Sequence, residues 1–596
     1  HPLTDTLYAG ESLQGIIAGL AAYVFLSSID IRKWYTRWWF DGLFNFRKKN
    51  IYEQKGWTWL ALAIGMALLT MLFGTGPEGS GVKVNLHLAG ITFQPGEITK
   101  YFLLFFLAGF FAANADNIRN LSDIRWRFFI NWSVFAGIGI LLALYLAMGD
   151  MGPAMVVCFT FLFFYSIARG NLLLTVLSGA TYCVLLTMLP ALTATAAAFG
   201  AVLMALILLG HMRSTKWYGA FAVMADAPII VLMVIAAFTF GDRIPGIGER
   251  LADRKEMWLS QWNNDVYGGD HLAHSYWTLS SGGFPGQGIG RGFANTMPAA
   301  HTDMILPSIG EELGWLGLIA VFLLFGILIH RSFLHARRSG QPFAFYLCSG
   351  IVIAMGVQLL LIAGGSIGLL PLTGVAVPFL SYGKISLIIN LAAMGVVAGI
   401  SARPGQEIQQ QYVQKNYDPV LATGIAFFMI GIVVLAVKLF FVQVVDREEY
   451  LVKQARVVMR NGTPIYSYNP RIDKLMRLLA AGDIYDRNGL ILATSEAARV
   501  KDHIDSLRKA GIPHHQLNEL LHKRVRRYYP FGADLFFWTG DYNTRLFWGQ
   551  ANGYFAEARH ITSLRGFGVS REIQDSVSIL YRPDRFTKPY YKTVQL

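Results

Sequence analysis

"PAAHTDMILPSIGEELGWLG", residues 298–317, sets His301, Thr302 and Asp303 directly before a run that stays apolar to about 330, with Glu311 and Glu312 at its entrance. An ionisable group at the mouth of an apolar helix is costly unless it caps free N–H groups or lines a polar cavity. Asp303 therefore has two readings. It is a helix cap, or it is a partly desolvated carboxylate tuned to accept a proton as a general base. His301 and Thr302 stand where they could orient it.

The rest of the chain has the composition of a multi-span membrane protein. It holds 596 residues, 54% of them hydrophobic and 15% charged, with a mean hydropathy of +0.41. Net charge is +13. The basic residues sit largely in short loops and in the C-terminal part, which favours membrane topology and anionic lipid over nucleic acid. Cys158, Cys183 and Cys348 all fall inside apolar runs, without metal-ligand spacing. No signal peptide is legible after His1-Pro2.

Apolar runs at about 10–29, 57–74, 98–115, 128–148, 152–168, 171–189, 191–210, 226–241, 313–330, 343–363, 385–401 and 419–443 predict twelve spans. Arg32, Lys33, Arg37, Arg47, Lys48, Lys49, Arg119, Arg125, Arg127, Arg169, Arg213, Lys216, Arg331, Arg337, Arg338 and Arg403 occupy alternate loops, assigned to the cytoplasm. Parity then predicts a further span upstream if the N-terminus is cytoplasmic. The outside loops hold "FQPGEITK" (93–100), "GDMGP" (149–153), "SSGGFPGQGIGRG" (280–292), "HTD" (301–303) and "VPFLSYGK" (377–384). Polar, Gly- and Pro-rich backbone gathered at one membrane edge predicts a shared extracytoplasmic pocket.

The expected fold is mainly α: a polytopic helical bundle over 1–403, a cytoplasmic linker at 404–418, a single span at 419–443 and a small extracytoplasmic α+β domain over 444–596. In that last part, Asn488-Gly489 within "GDIYDRNGLILATS" (482–495) predicts a β-hairpin, and 500–527 is helix-like and basic.

Other motifs weigh less. Glu97 and Lys100, three apart on a first helical turn, form either a local ion pair or a cavity pair in which Lys100 meets Asp303 or a substrate phosphate. Gly286, Gly288 and Gly290 lack the strand and helix of a dinucleotide site, so a mobile loop carrying Arg291 toward an anion is the better expectation. Three Ser-x-x-Lys strings (Ser80, Ser381, Ser506) have no Lys-Thr-Gly companion, and acyl-serine chemistry is unsupported. No zinc or Walker signature occurs.

Taken in order, "FQPGEITKYFLLFFLAGFF" (93–111), "GDMGPAMVV" (149–157), "SSGGFPGQGIGRG", "MPAAHTDMILPSIGEELGWLG" (297–317) and "LLPLTGVAVPFLSYGKISLIINLAAMGVV" (369–397) resemble the motifs of the SEDS family, which contains RodA and FtsW. The resemblance covers about residues 10–403. It implies a glycosyltransferase of the bacterial inner membrane that polymerises lipid II, the undecaprenyl-diphosphate disaccharide pentapeptide, into a nascent glycan strand. It further implies that Asp303 is the essential carboxylate, that Glu97 and Lys100 share its cavity, and that Asp150, His301, Thr302, Glu311, Ser381 and Tyr382 line or brace it. Lys100, Lys384 and Arg291 would supply positive charge for the departing diphosphate. A divalent cation, Mg or Mn, would suit that role, but no carboxylate cluster marks a site.

"QVVDREEYLVKQAR" (443–456), the hairpin segment, "RRYYPFGADLFFWTGD" (526–541), "GYFAEARHITSLRGFG" (553–568) and "YYKTVQL" (590–596) resemble the anchor and pedestal of a class B penicillin-binding protein. That implies a polymerase fused to its usual partner, inside a cell-wall synthesis complex, with the transpeptidase domain absent from this chain. The departures are Gly96 for serine, Ala299 for glutamate, Gly383-Lys384-Ile385-Ser386 for Gly-Gly-Ser, Ala481 for arginine, the missing Arg-Trp near Lys83, and two extra spans between 171 and 210. A lipid flippase and a non-catalytic scaffold are the rival readings.

Overall fold

The computed structural model describes residues 2–36, 56–76, 83–88, 91–120, 124–169, 248–293, 297–403, 407–458, 462, 464–467, 469–471, 481–523, 525–540, 555–560, 564 and 594–595. The spans expected at 171–189, 191–210 and 226–241 lie outside them. The other nine coincide with helices: Pro2–Ser28, Trp57–Phe73, Pro95–Asn120, Ile124–Met148, Met151–Arg169, Ile305–Arg338, Pro342–Ser366, Lys384–Ser401 and Glu407–Phe440. Among the described residues five are long and apolar enough to cross a membrane: Pro95–Asn114, Ile305–Arg338, Pro342–Ser366, Lys384–Ser401 and Gly424–Val445. The segment expected as a linker is helical from Glu407 onward and continuous with the span behind it.

The chain divides into two compact units that do not follow chain order. One comprises 1–259, 299–306 and 318–438; the other comprises 260–298, 307–317 and 439–596.

In the first unit, Pro342–Ser366 is the central helix, buried on nearly every face. Pro342 at its first position starts it cleanly, since proline lacks an N–H that would have no partner there. Aromatic rings stack against it: Phe111 and Phe164 lie 6.0 Å apart, and Phe164 and Tyr346 6.1 Å. Small residues set the approach distances, as is usual where lipid supplies no hydrophobic drive between helices. A Cβ on Gly350 would meet Phe164 at 2.2 Å, and one on Gly395 would meet the Tyr23 carbonyl at 2.5 Å, so Pro2–Ser28 lies tightly on Lys384–Ser401. Ile430, Val433, Val434 and Val437 on the span Gly424–Val445 remain exposed, as a lipid-facing stripe requires.

In the second unit, Asn263–Tyr267 pairs in parallel with Ala455–Val458, which pairs antiparallel with Pro464–Ser467. The predicted hairpin is present: Ile484–Tyr485 pairs antiparallel with Ile491–Ala493, Gly489 takes φ +79°, and Asp486 accepts the N–H groups of Asn488 and Leu490. Val594–Gln595 adds a parallel third strand. Short helices Ala497–Asp502, Ile504–Lys509 and His514–His522 follow the hairpin and bury Val500, Leu507 and Leu517 against Ile491.

The glycine-rich loop has a different role from the one its sequence suggests. Helix Ile305–Arg338 breaks at Gly314, φ +66° and ψ −166°, and the break orphans backbone groups on both sides. The loop supplies their partners. Gln287 and Gly288 donate to the carbonyls of Glu311 (3.0 Å) and Glu312 (2.8 Å), while Trp315 and Leu316 donate to Gly283 (3.0 Å) and Phe284 (3.3 Å). A Cβ on Gly286 would fall 2.3 Å from the Glu312 carbonyl oxygen, so the contact needs glycine. The loop expected to be mobile is thus a splint stapled across a helix break. Gln443, buried in the π turn Phe441–Val445, donates to the carbonyls of Leu279 (3.2 Å) and Gly310 (3.0 Å) and completes the repair.

Candidate active site

Three of the predicted loops meet in the first unit. Pro95 opens helix Pro95–Asn120, so Gln94 and Glu97 stand at its start. A cleft is lined by Gly96, Glu97 and Lys100 from this turn, by Pro153 from "GDMGP", by Gln358, and by Val375 from the irregular stretch 367–383. Glycine permits the convergence: a Cβ on Gly152 would meet Val375 at 2.3 Å, and one on Gly96 would meet Pro153 at 3.1 Å.

Lys100 and Glu97 form a buried ion pair at 2.7 Å, the local pairing that their i, i+3 spacing allows. A polar cage closes around it. Lys100 Nζ also donates to Gln358 Oε1 at 2.9 Å, while Gln358 Nε2 and Ser386 Oγ donate to the Glu97 carboxylate at 3.3 and 3.2 Å. Asn390 accepts from Tyr101 at 2.8 Å and donates to Ser386 at 3.2 Å. The cluster ties three helices together and leaves each charge compensated.

Asp303 is held differently. Ala299 has φ +52°, a left-handed turn uncommon for alanine, from which 300–304 wind into helix Ile305–Arg338. Stretch 367–383 grips this turn through Tyr382 N–H to His301 O (2.7 Å) and Ser381 Oγ to Thr302 O (2.5 Å), with Val377 N–H donating to Ser381 Oγ (2.7 Å). The His301 and Tyr382 rings meet edge to face at 5.7 Å. Thr302 Oγ1 lies 2.9 Å from Asp303 Oδ1 and 3.2 Å from the Ala299 carbonyl, so its one proton is shared between them. Asp303 Oδ2 faces Gly374, where a Cβ would stand 3.9 Å away. Among the described residues, then, one carboxylate oxygen accepts from Thr302 and the other faces Gly374, while the residue directly before the helix is Met304.

Asp150 lies just outside the spans, before helix Met151–Arg169. Burial pushes its carboxyl up to about 7, against the hydrogen bond with Gln94 and the charge of Arg254, and the nearby Glu97 charge adds to the rise. Arg254 does not stand out in the sequence, being one of several basic residues in the long loop 242–312. Helix Gly248–Leu259 brings it to stretch 367–383: Arg254 Nη1 donates to Leu372 O at 3.0 Å, and Trp258 Nε1, one turn on, donates to Gly368 O at 2.9 Å. Its charge is felt by Asp303 and Asp150.

Three expected residues stand elsewhere. Lys384 Nζ bonds Gln14 Oε1 at 2.7 Å on an exposed flank, because the first turn of helix Lys384–Ser401 faces helix Pro2–Ser28, and Ser386 reaches Glu97 instead. Glu311 is fully buried in the second unit in a bidentate pair with Arg471, both contacts 2.6 Å, so it braces that unit. Arg291, in the same unit, is exposed at the end of the splint, its N–H bonded to Gly288 O. Among the described residues no three His, Cys, Asp or Glu side chains group as metal ligands.

The family model of the cell cycle proteins FtsW, RodA and SpoVE matches residues 42–193 and 168–405. The chain belongs to this family. Relatives in it include a probable peptidoglycan glycosyltransferase FtsW of Geobacter sp. strain M18, 27% identical over 61% of this chain and 88% of that protein. Another is the probable FtsW of Bacillus subtilis, 29% identical over 60% and 76%. The peptidoglycan glycosyltransferase RodA of Mycobacterium leprae is 34% identical over a shorter stretch, 29% of this chain and 37% of that one. Among solved structures, a chain of a peptidoglycan synthase complex aligns with TM-score 0.45 and 19% identity, covering 67% of this chain and 91% of that one. RodA of Thermus thermophilus aligns with TM-score 0.38 and 17% identity, over 67% and 89%. Membership rests on the family match. With its multiple apolar helices, this FtsW/RodA family member is a multi-pass membrane protein.

Proposed function

We propose that the chain is a peptidoglycan glycosyltransferase that extends glycan strands from lipid II, with Asp303 as its general base. The observation that carries this reading is the half-buried Asp303 carboxylate: one oxygen is fixed by Thr302 and the other faces Gly374, at the end of a turn gripped by stretch 367–383. Relatives named peptidoglycan glycosyltransferases support the substrate class. In the proposed step the acceptor hydroxyl gives its proton to Asp303 Oδ2 as its oxygen bonds to the donor's anomeric carbon. The bond from that carbon to the diphosphate breaks, and undecaprenyl diphosphate leaves. Asp150, whose carboxyl feels the charges of Glu97 and Arg254, and the Lys100 cage are framework for this chemistry.

We also propose that residues from about 419 onward are the anchor and pedestal of a class B penicillin-binding protein, on the extracytoplasmic side of the bacterial inner membrane. A single apolar span followed by the hairpin domain supports this. The partners are then lipid II, the nascent strand, neighbouring lipids and other cell-wall synthesis proteins.

The test is elongation of labelled lipid II by purified protein in detergent. The unsubstituted chain lengthens strands and Asp303→Asn does not, with both equally folded. Wild-type rates from Asp303→Asn remove Asp303 from the reaction. Movement of lipid II between the leaflets of reconstituted vesicles, with no chain growth in detergent, selects the flippase reading.

A further inference from the structure

We propose, resting on the glycosyltransferase reading, that Arg254 is a further catalytic residue whose guanidinium seats the diphosphate of the polyprenyl donor. The cations first suggested for that task are engaged or placed elsewhere. Lys100 is buried against Glu97 at 2.7 Å and bonded to Gln358. Lys384 bonds Gln14 on the exposed flank, and Arg291 belongs to the second unit.

Arg254 is different on three counts. Its fixed point, the Leu372 carbonyl, is two residues from Gly374, which faces Asp303 Oδ2. That single hydrogen bond occupies Nη1 and, among the described residues, Arg254 makes no ion pair, so Nε and Nη2 still present a donor fork of the geometry that suits phosphate oxygens. Burial disfavours its charge, and the charges that offset this are acidic, Asp303 first and then Asp150 and Asp253, with none of them paired to it among the described residues. Attachment of helix Gly248–Leu259 to the stretch does not depend on it, because Trp258 makes its own bond to Gly368 O at 2.9 Å. A base and an anion seat held by one short stretch of chain, at Gly374 and Leu372, are what transfer from a diphosphate donor requires: one takes the incoming proton, the other stabilises the leaving charge.

Two measurements test this. In an Asp303→Asn background, which prevents turnover, binding of fluorescent undecaprenyl diphosphate in detergent should weaken about ten- to a hundredfold on Arg254→Gln, the loss expected for charge-assisted hydrogen bonds, and recover in part with Arg254→Lys. In the unsubstituted protein, undecaprenyl diphosphate but not undecaprenol should protect Arg254 from phenylglyoxal, read by peptide mass spectrometry, which needs no variant to fold. Equal binding by Arg254→Gln, or equal labelling with either lipid, overturns the seat. If the unsubstituted chain elongates lipid II while these tests fail, only Arg254 is wrong. If it does not elongate lipid II at all, the glycosyltransferase reading fails first.

Discussion

Two acidic positions at the same membrane edge were alike in sequence and are opposite in structure. Glu97 is buried and receives Lys100, Gln358 and Ser386. Asp303 is partly exposed, held at one oxygen, and faced by a glycine. A closed cage of compensated charge is a brace, since moving any member leaves another unsatisfied at low dielectric. An open carboxylate on a gripped turn can exchange a proton without dismantling its surroundings. The contrast assigns rigidity to the first and chemistry to the second.

The sharpest way to break this comparison is to neutralise each in turn. Asp303→Asn should lower polymerisation about 10²- to 10⁴-fold, the usual contribution of a general base, with an unfolding temperature close to that of the unsubstituted protein. Lys100→Met should do the reverse in emphasis. Removing one member of a buried pair costs about 3–5 kcal/mol, and thermal unfolding in detergent should show it. Adding Glu97→Gln to Lys100→Met should return part of that loss, because no uncompensated charge remains. A double variant no more stable than Lys100→Met alone would show that the cage does not act as a charge pair.

How much of this was legible in advance depended on range. Apolar runs fixed nine helices because a span is a local property of about twenty residues. Asp303, Glu97, Lys100 and Asp150 were visible because polar groups stand out at an apolar boundary. Gln358, in the middle of the run 343–363, carried the same signal and was overlooked. Ser386 and Asn390, four apart on one helical face, could have been read as a pair. Arg254 could not, since its meaning comes from Leu372, 118 residues away. The glycine-rich loop misled because the break at Gly314 that it splints lies in another motif. The second unit's composition, from segments 260–298, 307–317 and 439–596, has no local signature at all.

Asp150 sharpens the comparison through pH. Its carboxyl is raised from the ordinary 3.8 to about 7 by burial, so between those values the folded protein holds a proton that the unfolded chain has lost. Stability from this group is therefore greatest below about pH 4 and declines as pH rises through 7. Asp150→Asn should flatten that part of a plot of unfolding temperature against pH between 5 and 8. An unchanged slope would mean that Asp150 titrates as an ordinary exposed carboxylate and belongs to neither cluster.

The smallest effect is expected from the two cations whose sequence positions promised most. Lys384 is exposed and bonded to Gln14, and Arg291 is exposed with its backbone N–H bonded to Gly288 O. Substitutions at such surface positions usually change free energies by no more than about 0.5 kcal/mol, so Lys384→Ala and Arg291→Ala should each keep the elongation rate within about twofold. Measured beside Arg254→Gln under one condition, they separate positive charge as such from positive charge held at the Gly374 side of Asp303. A loss at Lys384 or Arg291 matching that at Arg254 would mean that the diphosphate is gathered by a diffuse basic surface, and the contrast between an open reactive cluster and its braced neighbour would no longer explain where the leaving group goes.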